Sequence, residues 1–190
     1  MPRLEKPEFL GDRALVAHTG MRRFSRAVCW RASDAEEGLL LGDDGCVRAV
    51  MPGETVWPGR VLSGRGDLFA FRRNGRLSGV VGAGGVAGPD GARRGGYGGF
   101  ECSLLLPRRL LDCAAAAFAD DVPLSAVVAD RLRPALLSAM EQVCARPGDL
   151  ASARTEISRA AFPCMRDALI RCGLMLVRFE LIRFGRVRGD

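Results

Sequence analysis

The chain has 190 residues, 48% of them hydrophobic and 26% charged, an ordinary globular composition that buries roughly 70% of its unfolded surface. It excludes collagen, coiled-coil and intrinsically disordered classes. The formal charge is +6, and every basic residue except Lys6 is arginine.

The seven cysteines, 29, 46, 102, 113, 144, 164 and 172, are odd in number and form no CxxC pair. They read as reduced thiols in a cytoplasmic protein, acting as small buried hydrophobes. Met1 to Leu10 holds prolines and charges and no apolar core, so no signal peptide is visible. No apolar run reaches the ~20 residues of a bilayer crossing. The expectation is a soluble chain.

Short strands are predicted at Ala14–Ala17, Arg26–Trp30, Gly38–Leu41, Val47–Met51 and Asp67–Arg72. Turns at Asp43-Asp44-Gly45 and Met51-Pro52-Gly53 separate them, with glycines free to take positive φ. The stretch 79–99 is crowded with glycine and carries Arg93 and Arg94. Having little to bury, it reads as a flexible loop inside one domain, and it lacks the pattern of a phosphate-binding turn.

Beyond residue 97 the periodicities lengthen. Tyr97–Leu106 reads as a strand entering the core, and Pro107 opens a helix through Phe118. Pro123 opens a second helix, with Leu124, Val127, Val128, Leu132, Leu136, Ala139, Met140, Val143 and Cys144 at three- and four-residue steps. Arg146-Pro147-Gly148 ends it. Asp149 caps a third helix bearing Ile157, Ala161, Met165, Ala168, Leu169 and Cys172, and Gly173 stops that helix. Pro134 and Pro163 should kink or split the two long helices. A last strand alternates Met175, Val177, Phe179 and Leu181 against Arg178 and Glu180. The fold class is therefore α+β (mixed α/β): short strands and hairpins, then helices on one face of a mixed sheet, then a final strand, with Val177, Phe179 and Leu181 facing inward.

Ala14-Leu15-Val16, Glu36-Glu37-Gly38-Leu39-Leu40-Leu41 with Asp44-Gly45, and Pro52-Gly53 before Trp57-Pro58-Gly59 resemble the start of an SPFH (Band 7) domain, the family of stomatin, prohibitin and flotillin. The likeness is greatest to its soluble bacterial branch, often labelled virion-core-protein-like. Gly96-Tyr97-Gly98, the three helices, and Cys172-Gly173-Leu174 leading to Phe179 and Leu181-Ile182 follow in family order. The resemblance spans 14–184 as a single domain, leaving 1–13 and 185–190 as tails. Met51 stands where the family has the first glycine of a glycine-proline-glycine turn, and Gly38 where it has alanine. Ending at Asp190, the chain is expected to lack the anchor and coiled coil of prohibitins and flotillins, and the zinc ribbon of the soluble branch.

The chemistry-bearing residues form no enzyme constellation. His18 stands in no Ser-His-Asp or Cys-His context, the pairs Asp43/Asp44 and Asp120/Asp121 read as turn and cap residues, and Cys164 with Cys172 makes a poor metal pair. Cys46 is expected to be exposed. No catalytic, metal or cofactor residue is assigned. Arginine clusters at 22/23/26, 72/73/76, 93/94 and 183/186/188 remain. They could bind anionic lipid, an acidic partner or, less readily with few aromatics, nucleic acid. Coding bias toward arginine would explain them without function. The resemblance implies a non-enzymatic scaffold that self-associates into a marginal homo-oligomer and organises a membrane surface or partner proteins. Its expected contacts are Arg72, Arg73, Arg76, Arg93 and Arg94, and its place is the cytoplasm or the membrane periphery. A basic nucleic-acid-binding module and a small enzyme with an unrecognised site are the alternatives.

Overall fold

The computed structural model describes residues 15–119, 122–146 and 149–187. The expected tail 1–13, Ala14, Asp120/Asp121 and Pro147-Gly148 lie outside them. The fold is mixed α+β, and the chain divides into two compact units, Met1–Arg76 and Leu77–Asp190.

The first unit is built of strands. β1 (Val16–Arg23), β3 (Glu36–Gly42), β4 (Val47–Val50) and β6 (Arg65–Arg72) form a sheet in the order β1-β6-β3-β4. β2 (Trp30–Arg31) pairs with β5 (Thr55–Val56), and a short helix, α1 (Pro58–Val61), precedes β6. The predicted strand at 26–30 shrinks to its last residue: Val28 donates its N–H to Ser25 and closes a turn there. Both predicted glycine turns form, Gly45 at φ 79° and Gly53 at φ 76°. Gly45 lets β3 fold onto β4 with Leu39 opposite Ala49 and Leu41 opposite Val47. One sheet face buries Ala17, Leu40, Leu68 and Ala70 with Trp30, Val50, Val56 and Leu62.

In the second unit β7 (Arg76–Ala87), β8 (Arg93–Leu104) and β9 (Leu174–Arg186) form a sheet in that order. The predicted loop 79–99 is therefore a hairpin of two twelve-residue strands, and Gly185 and Arg186 belong to β9 and not to a tail. Glycine contributes no side chain to pack. Here the backbone ladder holds the chain instead, with Gly95, Gly96, Gly98 and Gly99 all in register with β9. Every strand pair with a defined register is antiparallel, in place of the mixed sheet expected. β3 folds back onto β4 and β7 onto β8 as hairpins, and the three-helix connection returns the chain antiparallel to β8.

Between β8 and β9 run α2 (Pro107–Ala119), α3 (Leu124–Cys144) and α4 (Leu150–Arg171). Asp149 caps α4, its Oδ1 accepting the Ser152 N–H at 2.8 Å. α3 buries Val128, Leu132, Leu136, Ala139, Met140 and Cys144, and α4 buries Ile157, Ala161, Met165 and Leu169. Neither Pro134 nor Pro163 splits its helix. Both are exposed, as are Asp130 and Arg159 four residues earlier, so the carbonyls deprived of a donor can turn to water. The break in helical geometry lies in α2, at Ala114 (φ −116°, ψ 15°).

The last strand corrects the inward set. Glu101 stands opposite Arg178 and Cys102 opposite Leu176, so Val177 is an extra residue in β9. This bulge reverses the alternation. Leu174 and Leu176 face inward before it, Phe179 and Leu181 after it, while Met175 and Val177 are exposed.

Candidate interaction surface

The arginines fall into distinct environments. In the first unit Arg72 ends β6, opposite Glu36 in register, and Glu36 is buried at 3% exposure. Arg73 is exposed in the turn that follows, its backbone N–H donating to Ala35, and Arg76 is exposed at the start of β7. Arg22 lies 5.4 Å over the Phe24 ring and Arg60 5.4 Å over that of Trp57, so part of this basic complement packs along aromatic rings.

In the second unit Arg93 is exposed, but Arg94 turns inward. Its side chain is 11% exposed and donates from Nη2 to Asp90 Oδ1 at 3.3 Å. It also neighbours the buried Cys144, whose thiol is pushed up by burial against the opposing pull of Arg94. Asp90 accepts from Arg186 at 2.8 Å and from the Ala92 N–H at 3.2 Å. That backbone bond first, then Arg186, holds the Asp90 carboxyl below its ordinary value. Arg94, Asp90 and Arg186 thus fasten the hairpin tip to β9.

Two further cations of this unit share a groove. Arg154, Arg183, Leu150, Thr155, Ile182 and Phe184 line an open groove of about 510 Å³, with Arg154 Nη1 donating to the Ile182 carbonyl at 3.4 Å. Ile182 is a second extra residue in β9, since Tyr97 pairs with Arg183 and Gly98 with Leu181. The sheet face opposite Phe100 and Cys102 carries Tyr97, Gly99, Glu101 and Ser103 on β8. A Cβ on Gly99 would lie 3.5 Å from Ile182 Cδ1, and one on Gly82 3.6 Å from Tyr97 Cβ. Val80, Tyr97, Met175, Val177 and Ile182 are all exposed, between 41% and 60%. A sheet face with an apolar patch, bordered by Arg183 and by Arg178 held to Glu180 at 2.6 Å, is the arrangement that sequence reading missed. Its cause is the pair of bulges, which no local pattern announces.

The remaining candidates are structural where they are described. His18 Nε2 lies 2.9 Å from Asp67 Oδ1, and its ring stacks on Phe69 at 4.4 Å; β1–β6 pairing brings Asp67 to it from 49 residues away. Asp44 accepts from Ser63 Oγ and from the Cys46 N–H, and these bonds, the serine's first, lower its carboxyl's pKa. Asp43 accepts the Arg65 N–H at 3.2 Å. Of the family-like turn residues, Asp44, Gly45, Pro52 and Gly53 do form turns, Gly173 follows α4 at φ 73°, and Gly96, Tyr97 and Gly98 lie within β8. Cys46 is half-buried. At one pair the structure departs from the expectation of separate reduced thiols: Cys113 and Cys172, brought together where α2 meets the end of α4, are paired as a disulfide. Among the described residues no group of three or more histidines, cysteines or carboxylates gathers to hold a metal, and no helix is long and apolar enough to cross a membrane. In comparisons with protein-family models and with curated proteins, the chain matches none.

Proposed function

We propose that this chain is a non-enzymatic, SPFH-like scaffold that self-associates on an anionic membrane surface. The observation that carries the reading is the outward face of β7–β8–β9. Its exposed Val80, Tyr97, Met175, Val177 and Ile182 adjoin the groove holding Arg154 and Arg183. Apolar side chains beside guanidinium groups that no carboxylate engages among the described residues suit the boundary between lipid headgroups and acyl chains, where arginine meets phosphate and the apolar residues leave water. The succession of short strands, three helices and a returning strand supports the family likeness. Within the second unit the contact set shifts from Arg94 to Arg93, Arg154 and Arg183, because Arg94 is engaged by Asp90; Arg73 and Arg76 remain exposed candidates in the first.

Flotation of the purified chain with phosphatidylserine-containing vesicles against pure phosphatidylcholine tests this. Binding is expected only to the anionic vesicles. The R154A/R183A pair should weaken it about tenfold or more, at roughly 1 kcal/mol per arginine near such a surface. A strict monomer that ignores both vesicles would overturn the reading.

A further inference from the structure

We propose that the Cys113–Cys172 disulfide is a thiol-exchange site for a small carboxylate-bearing thiol, of the cysteine or glutathione class, held by Arg131 and Arg171. The two cysteines lie 59 residues apart in sequence, with Cα atoms 5.4 Å apart, a span that one disulfide bridges. They form part of the wall of an open groove of about 730 Å³, which Asp130, Arg131, Cys164 and Arg171 also line. That size suits a small-molecule ligand. Arg131 and Arg171 make no ion pair or hydrogen bond with other side chains among the described residues, so both guanidinium groups are available to carboxylates. Asp130 is engaged by Arg133 at 2.9 Å and would face the ammonium of an amino-acid thiol.

Two arginines beside a disulfide draw in an anionic thiol and stabilise its thiolate, the attacking form. Cys113 is the more accessible partner, half-buried against 7% exposure for Cys172. The incoming thiolate attacks Cys113 Sγ and breaks the bond to Cys172, which leaves as thiolate and takes a proton from water. A second thiol attacks the outer sulfur of the mixed disulfide, releasing the oxidised dimer of the small thiol and leaving Cys113 reduced. Two electrons pass from two thiol molecules to the protein disulfide. Opening releases α2 from α4 next to Ala114, where α2 already departs from helical geometry.

The test uses the full chain carrying Cys164→Ser, so that the exposed thiol of the same groove does not compete. After air oxidation, peptide mapping with maleimide blocking should recover Cys113 and Cys172 in one linked pair. At equal thiolate concentration glutathione should open that pair about tenfold faster than 2-mercaptoethanol, the lower end of electrostatic enrichment at a charged cleft. R131Q/R171Q should slow glutathione far more than 2-mercaptoethanol, whose thiolate brings no carboxylate for the arginines to hold, and so close most of the tenfold gap. Should that variant not fold, rising salt on the Cys164→Ser chain must slow glutathione, which carries carboxylates beside its thiolate, more steeply than 2-mercaptoethanol. Recovery of both cysteines as free thiols, or equal rates indifferent to arginine and to salt, would overturn the proposal.

Discussion

Trp30 sits so close above Gly38 that a Cβ there would lie 2.5 Å from Cζ3 of the indole, which explains glycine at this position. Gly173 is constrained twice. Its φ is 73°, and an added Cβ would strike the Leu106 carbonyl and approach the Leu110 nitrogen to 2.9 Å. Gly173→Ala should therefore cost at least about 2 kcal/mol, the left-handed backbone and the clash together, read as a lowered urea midpoint with an unchanged slope. Three carboxyls, Asp44 and Asp90 exposed and Glu54 half-buried, behave as a set. Asp44, Glu54 and Asp90 all have lowered pKa values, held by hydrogen bonds chiefly from Ser63, from the Met51 N–H and from the Ala92 N–H. Depressed folded values mean that the unfolded chain binds more protons at acid pH. Their stabilisation is complete above about pH 5 and is lost as pH falls through the lowered values, beneath the usual ~4 of carboxylates. Thermal midpoints should drop over that window, and Asp90→Asn should flatten the drop; an equal acid slope in the variant would remove Asp90 from the set.

At the scale of elements, the long helices were legible because each carries a three-to-four-residue apolar stripe and a local boundary: Pro107, Pro123, Asp149 and Gly173. The β7–β8 hairpin was not, because its glycines carry no alternation and its ladder depends on β9, which arrives only after three helices. Amides of β8 from Gly95 to Gly99 should accordingly exchange at least about tenfold more slowly than those of the 88–92 turn; equal rates would return the segment to a loop. Nor was the parity of β9 legible beyond Val177, since a bulge leaves no mark in the hydrophobic pattern. The candidate surface was half legible. Exposed Arg73, Arg76 and Arg93 stood out as charges, whereas the apolar face beside Arg183 exists only once both bulges are in place. The bulge sets two substitutions apart. Phe179, 8% exposed, faces inward, and Phe179→Asp would bury an unpaired charge at a cost of several kcal/mol. Val177, 43% exposed, faces out, and Val177→Asp should change stability by less than about 1 kcal/mol. If both variants unfold alike, the register of β9 is wrong.

For the whole molecule the deciding quantities are a charge of +6 and the apolar surface that arginine borders. Like charge opposes the packing of copies in solution, and a stable homo-oligomer needs an interface of about 1,000 Å² or more. Exposed charges are screened beyond about 8 Å at physiological ionic strength, so salt has opposite effects on the two associations that the proposed function joins. Added salt weakens attraction to phosphatidylserine, because that attraction is itself charge against charge, and it relieves repulsion between copies. Vesicle binding should therefore fall steadily as salt rises, while the weight-average mass in lipid-free solution stays constant or climbs. On the anionic surface the two effects cooperate at low salt, since lipid charge neutralises the arginines that keep copies apart, and crosslinking there should yield oligomers at protein concentrations where the lipid-free chain is monomeric. Val177→Asp adds negative charge to the apolar face and should reduce flotation with little change in the melting midpoint. Parallel salt series by flotation and by light scattering separate the terms. A flotation yield indifferent to salt would mean that the arginines are not what holds the chain to lipid, and crosslinked yields no greater on vesicles than in solution would detach assembly from the surface.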